Sequence, residues 1–129
     1  MAARMRKLVV AALVHEGQRI LLTRRRHDQS MPDFWELPGG KIEEGEAPAA
    51  ALEREIREEL DVACRVGVIA EVIFHRYAEF DLLMLVYHCT LASAPRPVEV
   101  AEINWALPSE LARYQLLPAD AGYLLKLSN

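Results

Sequence analysis

The chain has 129 residues, a formal net charge of -4 and 52% apolar residues, enough to bury one core and too short for a multidomain machine. A charged fraction of 26% and an isoelectric point of about 5.6 exclude diffuse electrostatic attraction to a nucleic-acid backbone or an anionic membrane. Cys64 and Cys89 are the only cysteines, too few for a secreted disulfide framework and without partners at zinc-ligand spacing, which points to reduced thiols and a cytoplasmic location.

Met1–Val14 carries basic residues and then an apolar run. That run breaks at His15-Glu16-Gly17, short of a membrane span and without a small-residue cleavage site, so it reads as a buried strand. Lys7–Val14 and Ile20–Arg24 are expected to be two strands about the turn Glu16-Gly17-Gln18. Arg24-Arg25-Arg26-His27-Asp28 leads into a loop, and Trp35-Glu36-Leu37 is a short extended stretch ended by Pro38-Gly39-Gly40. Pro48–Leu60 is the clearest helix: Pro48 suits its first position, and Ala49, Leu52, Ile56 and Leu60 recur at helical spacing. Val66–Tyr77 and Leu82–Leu91 read as longer strands, the second apolar enough for the middle of a sheet. Ala92–Pro97 is a connection, Asn104-Trp105-Ala106 a short strand, and Pro108–Tyr114 and Ala119–Leu127 are expected helices. The pattern, with no repeat or linker, is that of a single α/β (α+β) layered domain over residues 1–129 with a mixed sheet.

The chemistry concentrates in the middle helix. Glu55, Glu58 and Glu59 stand at i, i+3 and i+4, so at about 100° per residue their carboxylates share one stripe. A solvated face with salt bridges is the plain explanation for such a run. It accounts poorly for this one, because Glu55 and Glu59 are a like-charge pair and Arg54 before Glu58 is the less favourable order. Magnesium or manganese gives the stripe a purpose, since both take hard oxygen ligands and leave positions open for water and phosphate. From Asp33 to Asp61 there are ten acidic and three basic residues, a local charge of -7 against +3 for the remaining chain. A phosphate-bearing ligand would therefore need a bound cation to approach this region.

Read together, the segment is Gly40, five residues, Glu46, seven residues, then Arg54-Glu55-Ile56-Arg57-Glu58-Glu59-Leu60-Asp61-Val62. It resembles the Nudix box, the signature of hydrolases of nucleoside diphosphates linked to another moiety. One position departs: the family usually has glycine where this chain has Asp61, a residue type that accepts a left-handed backbone at moderate cost. The resemblance implies a Nudix fold, an α/β/α sandwich, with the box at 40–62 forming loop, helix and loop. It implies that Glu55, Glu58 and Glu59 bind the divalent metals with a Gly39 or Gly40 carbonyl as a further ligand, and that Arg54 orients Glu55. It leaves Glu55, Glu99 and Glu46 as candidates for taking the proton of the attacking water.

Thr23-Arg24-Arg25, Phe34-Trp35-Glu36-Leu37-Pro38-Gly39-Gly40-Lys41-Ile42-Glu43, His75-Arg76-Tyr77, the Trp105 strand and Leu117-Pro118-Ala119-Asp120 look like the MutT-type branch. That branch hydrolyses nucleoside triphosphates to the monophosphate and pyrophosphate. The resemblance implies that Arg25, Glu36, Lys41, Tyr77 and Asp120 contact substrate, with Glu99 near the metals, Tyr77 packing on the base and Asp120 reading its edge. Each has a plainer role available: Tyr77, Trp35 and Trp105 as packing, Arg24–Arg26 as a solvated loop, Asp120 as a residue favoured at a helix N-terminus. An ionised Asp120 would only accept hydrogen bonds, whereas asparagine both donates and accepts; oxidised guanine nucleotides such as 8-oxo-dGTP and cytidine nucleotides are the leading substrates. Alternatives are hydrolysis of a nucleoside diphosphate sugar, dinucleoside polyphosphate or capped RNA, and a module that only binds nucleotide. The expected partner is a small-molecule nucleotide, with no stable nucleic-acid or membrane binding, in a monomer or homodimer.

Overall fold

A computed structural model describes residues 4–128. The strands are β1 (Met5–Glu16), β2 (Arg19–Arg24), β3 (Trp35–Glu36), β4 (Gly39–Lys41), β5 (Cys64–Arg76), β6 (Phe80–Leu91) and β7 (Glu102–Ala106); the α-helices are α1 (Pro48–Leu60) and α2 (Pro118–Leu127). The sheet runs β3-β2-β1-β6-β5, with β4 paired to β1 and β7 to β2. It is mixed: β1 and β6 are parallel from Met5 opposite Phe80 to Val14 opposite Cys89, while β1–β2, β1–β4 and β5–β6 are antiparallel. Among the described residues no helix is long and apolar enough to cross a membrane.

Alternation along β1 divides the core. Val10, Ala12 and Val14 face α1 and pack with Leu52, Ile56 and Leu60; Ala11 and Leu13 face the other way, towards Met84, Val86 and Leu124 of α2. The layers are thus helix, sheet, helix, and β6 sits inside the sheet as its apolar sequence requires.

Four local readings are revised. The face of α1 buries Ala51 with Leu52, Ile56 and Leu60, and Ala49 lies only partly covered. Gly39-Gly40 does not break the chain but continues as β4, with Gly39 opposite Ala11 and Gly40 opposite Val10. Pro108–Arg113 is a short 3-10 helix rather than an α-helix running to Tyr114, and Glu110 Oε1 takes the Leu107 N–H at its start at 2.7 Å. Strand β5 starts at Cys64 and bulges between Val66 and Ile69 and again between Ile69 and Glu71.

Asp61 caps α1 in the left-handed region, φ 52° and ψ 45°, with its N–H donating to the Arg57 carbonyl. A side chain here carries a strain that glycine does not, and the ion pair of Asp61 with Arg96 lies on the surface and offsets little of it. Asp61→Gly is expected to raise stability by about 0.5 kcal/mol, read as a higher urea midpoint at unchanged slope; a lower midpoint would show that the Arg96 pair outweighs the strain.

Candidate active site

Arg54 organises the acidic stripe. Its Nε and Nη2 donate to the two carboxylate oxygens of Glu46 at 2.6 and 3.0 Å, its Nη1 to Glu55 at 3.0 Å and to Glu58 at 3.3 Å, and its Nη2 also to the Lys41 carbonyl at 3.1 Å. The i,i+4 order that is weak on an isolated helix persists here because one guanidinium serves three carboxylates. Glu46 also accepts the Glu43 N–H at 3.0 Å, and with the Arg54 guanidinium beside it its carboxyl is held down at about 2. That makes Glu46 a poor proton acceptor and a good brace for the connecting loop.

Glu55 and Glu59 behave in the opposite way. Burial pushes both carboxyls up; Glu59 is raised further by the charges of Glu36 and Glu55, and Arg54 opposes the rise at Glu55. The Glu55 carboxylate lies directly against the Cα of Gly40, so a Cβ at position 40 would strike it; a Cβ at Gly39 would strike the Val10 carbonyl. The Gly39-Gly40 pair is therefore required by close approach on both sides of β4. Val98 and Glu99 donate backbone N–H bonds of 3.0 Å to the Glu59 carbonyl, which fastens the loop after β6 to the end of α1 and leaves the Glu99 side chain exposed beside it.

A cleft of about 260 Å³ opens alongside β4, on the side of the sheet that faces α2, a size at the lower end of small-molecule pockets. It is lined by Arg25, Glu36, Gly39, Gly40, Lys41, Tyr77 and Asp120, so the structure gathers these residues at one place. Arg25 is committed within the protein, donating to Glu36 at 3.0 Å and to the Ser30 carbonyl and hydroxyl at 2.8 and 3.1 Å. The Tyr77 hydroxyl accepts the Ala119 N–H at 3.2 Å, which ties β5 to the first turn of α2, while the ring lies 4.9 Å from that of Phe80. Asp120 is 3% exposed, accepts the Leu37 N–H at 3.0 Å, and is pushed up to about 8 by burial and by the Glu36 charge. The side chain is thus mostly the neutral acid at pH 7, a donor as well as an acceptor, which corrects the expectation of an ionised acceptor. Trp35 and Trp105 are partly buried packing residues, the former edge-on to Tyr114 at 5.1 Å.

Lys7 and Phe80 also line the cleft, with the Lys7 ammonium 3.9 Å above the Phe80 ring. Sequence reading passed over both. The signal was available at Lys7, which shares the inward face of β1 with Val9, Ala11 and Leu13, where a charge needs a reason.

Whether these side chains suit a divalent cation is tested by the donor set itself. Four carboxyls, of Asp120, Glu36, Glu59 and Glu55, stand near enough for charge to couple from one to the next, with Arg25 and Arg54 as the cations acting on Glu36 and Glu55. Such an excess of oxygen ligands, buried at Asp120 and partly buried at the three glutamates, fits a hard cation. Among the described residues no three acidic, histidine or cysteine side chains already converge at ligand geometry; Arg54 Nη1 bridges Glu55 and Glu58. Glu58, with its side chain 49% exposed, can turn from that bridge at little cost.

The model of the NUDIX domain matches residues 5–127. The chain belongs to the Nudix family. It is 33% identical over 124 residues to the CTP pyrophosphohydrolase of Escherichia coli strain K12, covering 90% of this chain and 87% of that one. It is 29% identical to the putative 8-oxo-dGTP diphosphatase 2 of Mycobacterium tuberculosis, covering 95% and 88%. Among solved structures, the Escherichia coli ORF135 protein superposes with a TM-score of 0.83 at 29% identity, covering 95% of this chain and 88% of that one. A MutT protein from Methanosarcina mazei Go1 shares the fold with a TM-score of 0.87 at 21% identity, covering 98% and 96%. The α/β/α sandwich and the MutT-type resemblance are borne out, and this Nudix protein is an enzyme acting on pyrophosphate bonds, in a family that generally needs a divalent metal.

Proposed function

We propose that this Nudix enzyme hydrolyses nucleoside triphosphates to the monophosphate and pyrophosphate with magnesium or manganese. The observation that carries the reading is one cleft whose lining brings Asp120, Tyr77 and Phe80 together with Gly39-Gly40, while Gly40 in turn lies against the Glu55 carboxylate; we take these as the two ends of the site. The first end suits a base, whose face packs on aromatic rings and whose edge meets a neutral carboxyl that both donates and accepts. The second suits a phosphate chain. When bound to Glu55, Glu58, Glu59 and a Gly39 or Gly40 carbonyl, the divalent cation supplies charge neutralisation and Lewis-acid polarisation of the phosphoryl group. Arg54 holds one oxygen of Glu55 and leaves the other to take the proton of the attacking water. The Glu99 backbone is tied to the Glu59 carbonyl, which keeps it a candidate beside the acidic stripe, and Lys41 and Lys7 add cations to the lining of the cleft.

A donor-and-acceptor edge at Asp120 matches cytosine and the oxidised guanine ring, so CTP-type and 8-oxo-dGTP-type nucleotides head the substrate ranking, in a cytoplasmic setting where nucleotide pools occur. The test is a magnesium-dependent screen for pyrophosphate release across ordinary and oxidised nucleoside triphosphates, with the nucleotide product identified. Monophosphate and pyrophosphate are expected in equal amounts. Release of orthophosphate, or turnover only of nucleoside diphosphate sugars or dinucleoside polyphosphates, would overturn the reading.

A further inference from the structure

The sheet ends at β5, whose outer edge pairs with no other strand among the described residues. The bulges break up its first half between Val66 and Glu71 and leave Glu71–Arg76 in regular register with β6, whereas natural edges are usually blunted along their length. Side chains on the α1 side of this stretch are Val72, Phe74 and Arg76; the first two are apolar and largely uncovered, and the Arg76 guanidinium lies 5.8 Å from the centre of the Phe74 ring. Phe74 is 60% exposed, Val72 52%, Leu83 39% and Leu8 52%, and register sets Phe74, Leu83 and Leu8 side by side across three strands. On the other side a groove of about 280 Å³ runs between Glu71–His75 and α2, where Gly122 leaves open space. An exposed apolar face continuous with a free edge marks a protein interface.

We propose that this edge pairs with the same edge of a second copy of the chain, antiparallel about a two-fold axis through Ile73. The sequence Glu71-Val72-Ile73-Phe74-His75 is self-complementary in that register. Val72 falls opposite Phe74 of the second copy and Phe74 opposite its Val72, an aromatic with a β-branched side chain in each case. Glu71 falls opposite His75 and His75 opposite Glu71, a carboxylate facing an imidazole that can donate a hydrogen bond to it at each end. Backbone direction agrees. The Val72 N–H is taken by the carboxylate of its own neighbour Glu71 at 3.2 Å, so it points away from β6, and by the two-residue period the N–H and carbonyl of Phe74 do too. Those are the groups that a 72-to-74 pair would join once the Glu71 carboxylate turns from the Val72 N–H to His75 of the second copy. The symmetric contact is isologous and closes as a dimer, and it carries the apolar row of Leu8, Leu83 and Phe74 on to Val72 of the second copy. The dimer touches the lining of the catalytic cleft through His75, whose ring meets that of Tyr77 edge-on at 4.5 Å.

Sedimentation velocity of the full chain across a concentration series tests this. The expected result is a reversible shift from 14.6 kDa to twice that mass. Phe74→Lys and Val72→Pro, which remove the apolar pair and the outward N–H, should each raise the dissociation constant at least ~10-fold with nucleotide hydrolysis unchanged; retained hydrolysis shows that the variants are folded. Glu71→Lys should weaken the dimer and Glu71→Lys with His75→Glu restore it. A wild-type chain that stays at monomer mass throughout, including one that takes an unrelated extended peptide on this edge, overturns the proposal, as does a dimer that the edge variants leave intact.

Discussion

Glu58→Gln should lower turnover of the preferred nucleotide by about a thousandfold while leaving the fold intact. The side chain stands half exposed at the end of the acidic stripe, and its one hydrogen bond, to Arg54 Nη1, is 3.3 Å long and shared with the closer Glu55. Losing that bond costs little stability, because an exposed pair of this kind contributes less than about 1 kcal/mol. Losing a carboxylate ligand removes several kcal/mol of charge stabilisation on the phosphoryl group, roughly three decades of rate. The magnesium concentration for half-maximal rate should rise with it. Glu44→Gln, an exposed acidic position in the connecting loop, is the control and should leave both quantities unchanged. A Glu58→Gln enzyme with ordinary turnover and ordinary magnesium dependence would remove Glu58 from the ligand set.

Asp120→Asn should stabilise the protein at alkaline pH and leave it nearly unchanged in acid. With its pKa pushed up by burial to about 8 from the ordinary 3.8, the folded carboxyl keeps its proton where the unfolded one has lost it. The contribution of Asp120 to stability is therefore greatest below pH 4 and declines by about 1.4 kcal/mol per pH unit up to about pH 8, above which both states are ionised and the loss is complete. The summed loss is several kcal/mol, undiminished by solvent since the group is 3% exposed. An asparagine oxygen still accepts the Leu37 N–H and carries no charge to bury. Urea midpoints of both proteins from pH 4 to pH 9 should diverge as pH rises; parallel curves would mean that Asp120 ionises normally. Because neutral Asp120 and asparagine offer the same donor and acceptor, the substitution should shift the ranking of cytosine against oxidised guanine nucleotides most above pH 8 and least below pH 7.

The unequal legibility of this site follows from the range of the interactions involved. Helix α1, the spacing of Glu55, Glu58 and Glu59, and the close glycines at 39 and 40 are contiguous in the chain. Periodicity and motif register report such features directly. Even the left-handed cap was readable, from an aspartate where the family places glycine. The state of each carboxyl was not readable. Glu46 and Glu55 lie nine residues apart on the same loop and helix, yet one is driven down by a two-pronged Arg54 contact and the other up by burial. Lys7 and Phe80 meet only because β1 and β6 run parallel.

The sequence by itself determined the family, the layered fold and the acidic stripe on which a divalent cation is expected, since each depends on residues near one another along the chain. Only the tertiary structure decided that Asp120 is buried 83 positions away from the Leu37 N–H it holds, that Glu36 couples it to the acidic stripe, and that β5 is left as a free edge. Burial and charge coupling depend on which strands come together, and strand order is a long-range property that no local spacing encodes.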